Sequence, residues 1–406
     1  MRKAIIIITS GQPSANPRAV KEAILLSENN YQVTFIYCPI SPWADEYDKK
    51  LILDYPKINW ISVGYHSTQN KIGYKFARVR RKFWEVLNLA YKNNASVCLK
   101  SSVLFSQELL SESLKHKADL YIAHNIGAIR ATIDAAFKHK AKVGFDAEDF
   151  HRGEFLTESK EMKRTALIEK KYFPLLNYCT VASPLIGNAF KKIFPEIYFQ
   201  TINNVFPIKF LKNNAEKNIS STLNLFWFSQ FIGPNRGIED FIDALNKSAN
   251  KNFKLNLMGN ISDTYKSEII NLINDKTNIN FIEPGPPSET FHYAQKFDIG
   301  IASETSINAN RDYCLTNKIF TYLLSGNVIL FSKTKGQEKF LNENKGIGFL
   351  YNSGNVNEIN EILKMLYLDR ELLNEVKQKS LALAKSNMNW EMESKRFLSI
   401  IENTLK

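Results

Sequence analysis

Along residues 1–205 the apolar positions fall into short runs rich in isoleucine, valine and phenylalanine. Stretches in which apolar residues recur every three or four positions separate them. The runs predict strands at Lys3–Thr9, Gln32–Tyr37, Asn59–Val63, Asp119–Ala123, Lys142–Phe145, Tyr178–Ala182 and Ile197–Thr201. Helical spacing fills most of the intervals, including Ser14–Asn29, Ser106–Lys115, Ile126–Lys138 and Lys160–Leu175. Strand and helix in alternation predict a parallel sheet with helices on both faces. Phe206–Ser221 is polar, carries little periodicity and predicts a linker.

The alternation then restarts. Leu223–Phe228, Phe253–Met258, Asn278–Ile282, Phe297–Ala302 and Val328–Phe331 read as strands. Gly237–Lys247, Asp263–Asn274, Ser288–Gln295, Asn355–Leu366 and Arg370–Lys385 read as helices. A chain of 406 residues exceeds one ordinary core. The expected fold is therefore α/β, with two Rossmann-like doubly wound domains, 1–205 and 206–387, facing each other across a cleft. Trp390–Leu405 carries a helical apolar stripe, and residues 388–406 are expected to pack back on the first domain.

One segment breaks this regularity. Residues 71–92 carry seven Lys or Arg against the single Glu85, while Ile72, Phe76, Val79, Phe83, Val86, Leu87 and Ala90 keep helical spacing. Basic residues flanking an apolar face predict a helix lying on an anionic membrane. A core helix with a basic outer face is the alternative. The net charge of +12 also calls for an anionic partner. Zinc-finger spacing and RNA-binding aromatic motifs are missing, so nucleic acid is not the expected partner. No apolar run reaches the roughly 20 residues that span a bilayer. Cys38, Cys98, Cys179 and Cys314 are scattered and predict reduced thiols in a cytoplasmic protein, peripheral at the inner face of the cell membrane. The sequon Asn218-Ile219-Ser220 is then a chance match.

Candidate chemistry collects behind the predicted strands. Gly11 follows the first strand, where a ligand can approach the backbone. His124 ends the strand beginning at Asp119, a position that points into the ligand crevice of a parallel sheet. Asp146, Glu148 and Asp149 crowd behind the next strand and can position hydroxyls or exchange protons; no metal set is expected around them. In the second half, Arg236 precedes a helix, where its forked guanidinium suits a diphosphate. Lys318 opens the helix within Cys314–Ser332, beside amides that favour an anion. Glu304 could contact a sugar or ribose, or be a solvated loop residue.

These fragments resemble the GT-B glycosyltransferases, and most the family 4 type retaining enzymes of bacterial surface-glycan synthesis. Asn16-Pro17-Arg18 followed by Glu22-Ala23 resembles that family's first helix, and Asp119 to His124 its strand ending in histidine. Phe145-Asp146-Ala147-Glu148 resembles its YDAHE stretch, and Arg236-Gly237 its diphosphate-binding motif. Asn317-Lys318-Ile319-Phe320-Thr321-Tyr322-Leu323 resembles the segment that cradles the nucleotide sugar. The resemblance implies metal-independent transfer of a sugar, with retention, from a nucleotide-sugar substrate to a lipid-linked or glycan acceptor, without a cofactor. It implies catalytic roles for His124, Arg236 and Lys318. Donor contacts would come from Gly11, Arg236, Glu304, Asn317, Lys318 and Thr321, and acceptor contacts from His124, Asp146, Glu148 and Asp149. Tyr313 and Thr321 stand where the family carries two glutamates. Alternative readings are a nucleotide-sugar epimerase or hydrolase on the same scaffold, or a non-catalytic glycosyltransferase-like partner protein.

Overall fold

A computed structural model describes residues 2–91, 94–211, 221–248, 252–285 and 287–406. Two compact units are present: Met1–Ile202 with Ser394–Lys406, and Asn203–Glu393. The first holds seven strands, β1 (Ala4–Thr9), β2 (Gln32–Tyr37), β3 (Asn59–Ser62), β4 (Leu120–His124), β5 (Lys142–Ala147), β6 (Tyr178–Val181) and β7 (Phe199–Thr201). They pair in parallel in the order β3-β2-β1-β4-β5-β6-β7. Ile5, Ile6, Ile7 and Ile8 are all buried, as unbroken apolar runs require when helices cover both faces.

The second unit repeats the plan with β8 (Leu223–Phe231), β9 (Phe253–Asn260), β10 (Ile279–Ile282), β11 (Ile299–Ala302), β12 (Val328–Ser332) and β13 (Gly348–Tyr351). Its order is β10-β9-β8-β11-β12-β13, again parallel. In each sheet the strand order reverses once, between β1 and β4 and between β8 and β11. Ligand crevices of open α/β sheets lie outside the carboxyl ends of such strand pairs. Strand β13 escapes the sequence patterns because four residues beginning with glycine carry little strand signal. The backbone of β12 lies against Gly348, where a Cβ would come within 2.0 Å of the Ile329 carbonyl oxygen.

Several expectations change. The linker begins as packed structure: Phe206 and Phe210 lie 4.9 and 5.0 Å, ring to ring, from Phe291, and Ile208–Phe210 forms a 3-10 turn. Two aromatic anchors outweigh the polarity around them. Residues 212–220, including Asn218-Ile219-Ser220, lie outside the described residues. The polar loop from Ser303 to Tyr313 contains a short helix, Ala309–Tyr313, capped by Asn308, whose side chain accepts from the Arg311 amide at 2.9 Å. In the final helix, Trp390–Leu405, Phe397, Ile400 and Ile401 are buried.

The basic segment forms one helix, Lys71–Ala90; Lys92 lies outside the described residues. Its apolar ladder faces outward, with Ile72 84%, Phe76 67%, Val79 67%, Phe83 59% and Val86 62% exposed, and only Ala77 and Asn88 buried. An ordinary core helix would show the reverse.

Close packing supports the crevice of the second sheet. The ring of Tyr322 lies over Gly300 of β11, and its hydroxyl donates to the carbonyls of Phe226 (3.0 Å) and Ile301 (3.3 Å). A Cβ on Gly300 would come within 2.2 Å of that ring. Gly300→Ala is therefore expected to destabilise the second unit by about 1–3 kcal/mol, the usual cost of overpacking, read as a lower denaturant midpoint.

Candidate functional site

The first unit's crevice is built on a buried charge cluster. Asn16 caps the helix Pro17–Glu28 by accepting from the Ala19 amide at 3.0 Å, and Pro17 takes the first helical position. Arg18 and Glu22, four residues apart, then share one helix face and are fully buried. Parallel register sets Thr9 beside His124 and His124 beside Asp146. The Arg18 Nε donates to Asp146, and its Nη1 donates to the Ile202 carbonyl. Glu22 lies 2.9 Å from His124 Nε2, and His124 Nδ1 lies 3.5 Å from Glu148 and 3.7 Å from Asp146.

Electrostatics set the protonation states. Burial opposes a charge on His124, but Glu22, Glu148 and Asp146 outweigh it and raise its pKa to about 10. His124 is therefore an imidazolium at neutral pH, a hydrogen-bond donor and source of positive charge and not a resting base. Burial alone would raise Asp146; Arg18 and then His124 hold it below its ordinary value. Burial, only partly offset by His124, lifts Glu22 to about 7. Ligand atoms of Glu22, His124 and Asp146 lie within 4.8 Å of one another, close enough to grip a metal ion. Doing so would require His124 to lose its proton beside the Arg18 guanidinium.

The network is incomplete in itself. Arg18 Nη2, Glu22 Oε1, His124 Nδ1, Asp146 Oδ1 and Glu148 Oε1 are buried without a hydrogen-bond partner. Of these five residues only Glu148 reaches the surface. Glu148 is partly exposed and Asp149 half-buried. Beside them Asn125 ties the two reversing strands, donating to Thr9 (2.9 Å) and accepting from Ser10 (2.7 Å). At Gly11 an added Cβ would meet only open space.

In the second unit the reversal is knit by one hydroxyl. Ser303, just past β11, accepts from the Trp227 indole at 2.9 Å and donates to the Arg236 carbonyl at 2.7 Å. Gly237 follows with φ +74°, and its Cβ position lies 3.1 Å from the Ser303 side chain, which favours glycine twice over. Lys318, second residue of the helix Asn317–Ser325, holds its Nζ 5.2 Å above the Trp227 ring and 3.1 Å from Glu304. Arg311 donates to the other Glu304 oxygen. Burial would raise the Glu304 carboxyl, but Lys318 and Arg311 keep it below its usual range. Arg236 is half-buried, and its side chain makes no ion pair among the described residues.

Two expected donor contacts change character. Glu304 is a buried counterion, only 5% exposed, with both oxygens already committed to internal cations. Thr321 is 1% exposed within its helix and offers a ligand no surface. Asn317 is exposed at the helix start. Arg18, Glu22, Trp227 and Ser303 were missed as site residues. The signal for the first pair was an Arg/Glu pair at helical spacing among the inward-facing Ala19, Ala23 and Leu26.

Residues 236–399 match the family model described as "Glycosyl transferase-like". That segment opens at Arg236 and contains Lys318. No curated protein matches the chain. Among solved structures, HepE from Anabaena, determined with UDP and glucose, superimposes with a TM-score of 0.71 at 14% identity, covering 99% of this chain and 100% of that one. The sucrose-phosphate synthase of Thermosynechococcus elongatus gives a TM-score of 0.74 at 11% identity, covering 99% of each. The fold is GT-B. A glycosyltransferase from Rickettsia africae shares this GT-B architecture with a TM-score of 0.66 at 13% identity, over 100% of this chain and 99% of that one.

The raised His124 pKa has a measurable consequence. Because the folded value lies above the unfolded 6.5, its contribution to stability is complete below about pH 6.5 and is lost as pH rises through about 10. His124→Gln should abolish this alkaline decline, read as the unfolding midpoint between about pH 7 and 10.

Proposed function

We propose that the chain is a retaining glycosyltransferase that moves a sugar from a nucleotide-activated donor onto a lipid-linked or glycan acceptor of bacterial surface-glycan synthesis. The observation that carries this reading is the second unit's crevice. The Lys318 ammonium lies over Trp227, and Ser303 ties Trp227 to the backbone carbonyl of Arg236, so both cationic residues border one crevice in or next to the segment that matches the glycosyltransferase-like model. Negative charge accumulates on a departing diphosphate, so cations fixed where it grows lower the barrier more than cations that merely bind the donor. Glu304 keeps Lys318 in position and Arg236 closes the phosphate from the adjoining loop. In this reading the two cations do the electrostatic work that a metal does elsewhere.

The acceptor falls to the first unit. Glu148, the partly exposed carboxylate of the cluster, is where an acceptor hydroxyl would bond, with His124 and Asp146 fully buried behind it. With His124 already protonated, the departing phosphate is the natural base for the acceptor proton. That chemistry is front-face attack with retention. The outward apolar ladder of the helix Lys71–Ala90, flanked by exposed Lys75, Arg78 and Lys82, supports peripheral attachment to an anionic membrane where a lipid-linked acceptor resides.

HepE has been determined with UDP-glucose, which makes UDP the first nucleotide to test. Calorimetry should detect UDP, GDP or ADP binding; silence with all three would favour a non-catalytic partner protein. Arg236→Ala is expected to lower kcat about 10²–10³-fold, and unchanged turnover would remove the diphosphate role. For attachment, flotation with anionic vesicles should fail when Phe76 and Phe83 are changed to Ser and Lys75, Arg78 and Lys82 to Gln. Persistent flotation would assign the membrane contact elsewhere.

A further inference from the structure

The first unit contains a second cavity, of ≈ 900 Å³, that the chemistry above does not use. It lies between the end of the basic helix Lys71–Ala90, the helix Lys160–Tyr172 and the end of the helix Pro184–Ile193. Its apolar lining includes Leu89, Leu167, Ile193 and Phe194. Leu89 belongs to the same helix as the outward ladder and is itself 57% exposed, so apolar surface runs from that helix into the cavity.

Much of the remaining lining is cationic, and none of the lining residues is acidic. Arg152 is committed to buried Glu169, and Lys163 reaches Glu158 at 2.9 Å. Lys160, Arg164 and Lys170 make no ion pair among the described residues; the neighbour of Arg164 is the neutral amide of Asn88. Three cations without an ion pair, interleaved with apolar side chains, suit an amphiphile with a multiply charged head. A terminal phosphate carries about −1.5 to −2, whereas the diester of an ordinary phospholipid carries a single charge.

We infer that this groove binds the phosphate end and first chain carbons of a lipid bearing a terminal phosphate. Lys160 and Arg164, one helical turn apart, hold the head, Lys170 adds positive charge farther along the same helix, and Leu89, Leu167, Ile193 and Phe194 line the chain. As the seat of a lipid-linked acceptor the groove rests on the glycosyltransferase reading; as a lipid-phosphate site it stands on its own geometry. The basic helix then meets the bilayer, while the groove beside it takes up one lipid.

Calorimetry on the full chain tests this, with dodecyl phosphate below its micellar concentration as probe. Inorganic phosphate and dodecanol, the two halves of the probe, should each bind at least about tenfold more weakly. The double variant Lys160→Gln, Lys170→Gln, two exposed positions, should lose roughly ten- to thirtyfold in affinity and keep its melting temperature and its UDP binding. Dodecyl methyl phosphate, a singly charged diester, should bind more weakly than dodecyl phosphate; equal affinity would overturn the terminal-phosphate assignment. Equal affinity of wild type and double variant, or no binding by a wild type that binds UDP, would overturn the groove and leave the glycosyltransferase reading standing. Dodecyl phosphate bound by a chain blind to every nucleotide tested would keep the lipid site and remove that reading.

Discussion

Where a parallel sheet reverses its strand order, the chain leaves two neighbouring strands in opposite directions and no helix can close the gap at their carboxyl ends. That constraint organises both units. In the first it draws Thr9, His124 and Asp146 to adjacent strand ends. In the second it brings Trp227, Arg236, Ser303 and Lys318 into one hydrogen-bonded and cation–π array. The helices then supply what the strand ends lack, Arg18 and Glu22 in one crevice and Lys318 in the other.

The two arrays differ in how they tolerate charge. Arg18, Glu22, His124 and Asp146 are buried together, an arrangement in which desolvation commonly cancels the gain from pairing. Apolar residues of similar volume would fill such a space with less penalty. Retaining four charged groups there, with unsatisfied polar atoms beside them, fits a site that gives up stability for ligand recognition. Around Lys318 the Glu304 carboxylate pairs with both Lys318 and Arg311, so that buried acid is matched by cations.

What the sequence could reveal followed the range of each signal. The β-strands announced themselves because buried parallel strands are unbroken apolar runs, and β13 did not because it is short and begins with glycine. Arg236 and Lys318 stand out in the sequence because each sits in a loop-to-helix junction with local character. Trp227 and Ser303 were not: one reads as strand core and the other as loop, and only their contact across β8 and β11 gives them a role. The burial of Glu304 and Thr321 was not legible, because position near a strand end or in a helix does not report it. The basic helix had the opposite difficulty, since its periodicity is the same whether the stripe faces a core or solvent.

Lysine side chains ordinarily carry about 2 kcal/mol of rotamer entropy into a binding event. Lys318 has little left to lose. Its ammonium is already held by Glu304 and its position fixed over Trp227, so the freedom of that long side chain disappears during folding. The place of this charge is decided by folding, and a binding event there would not have to order it.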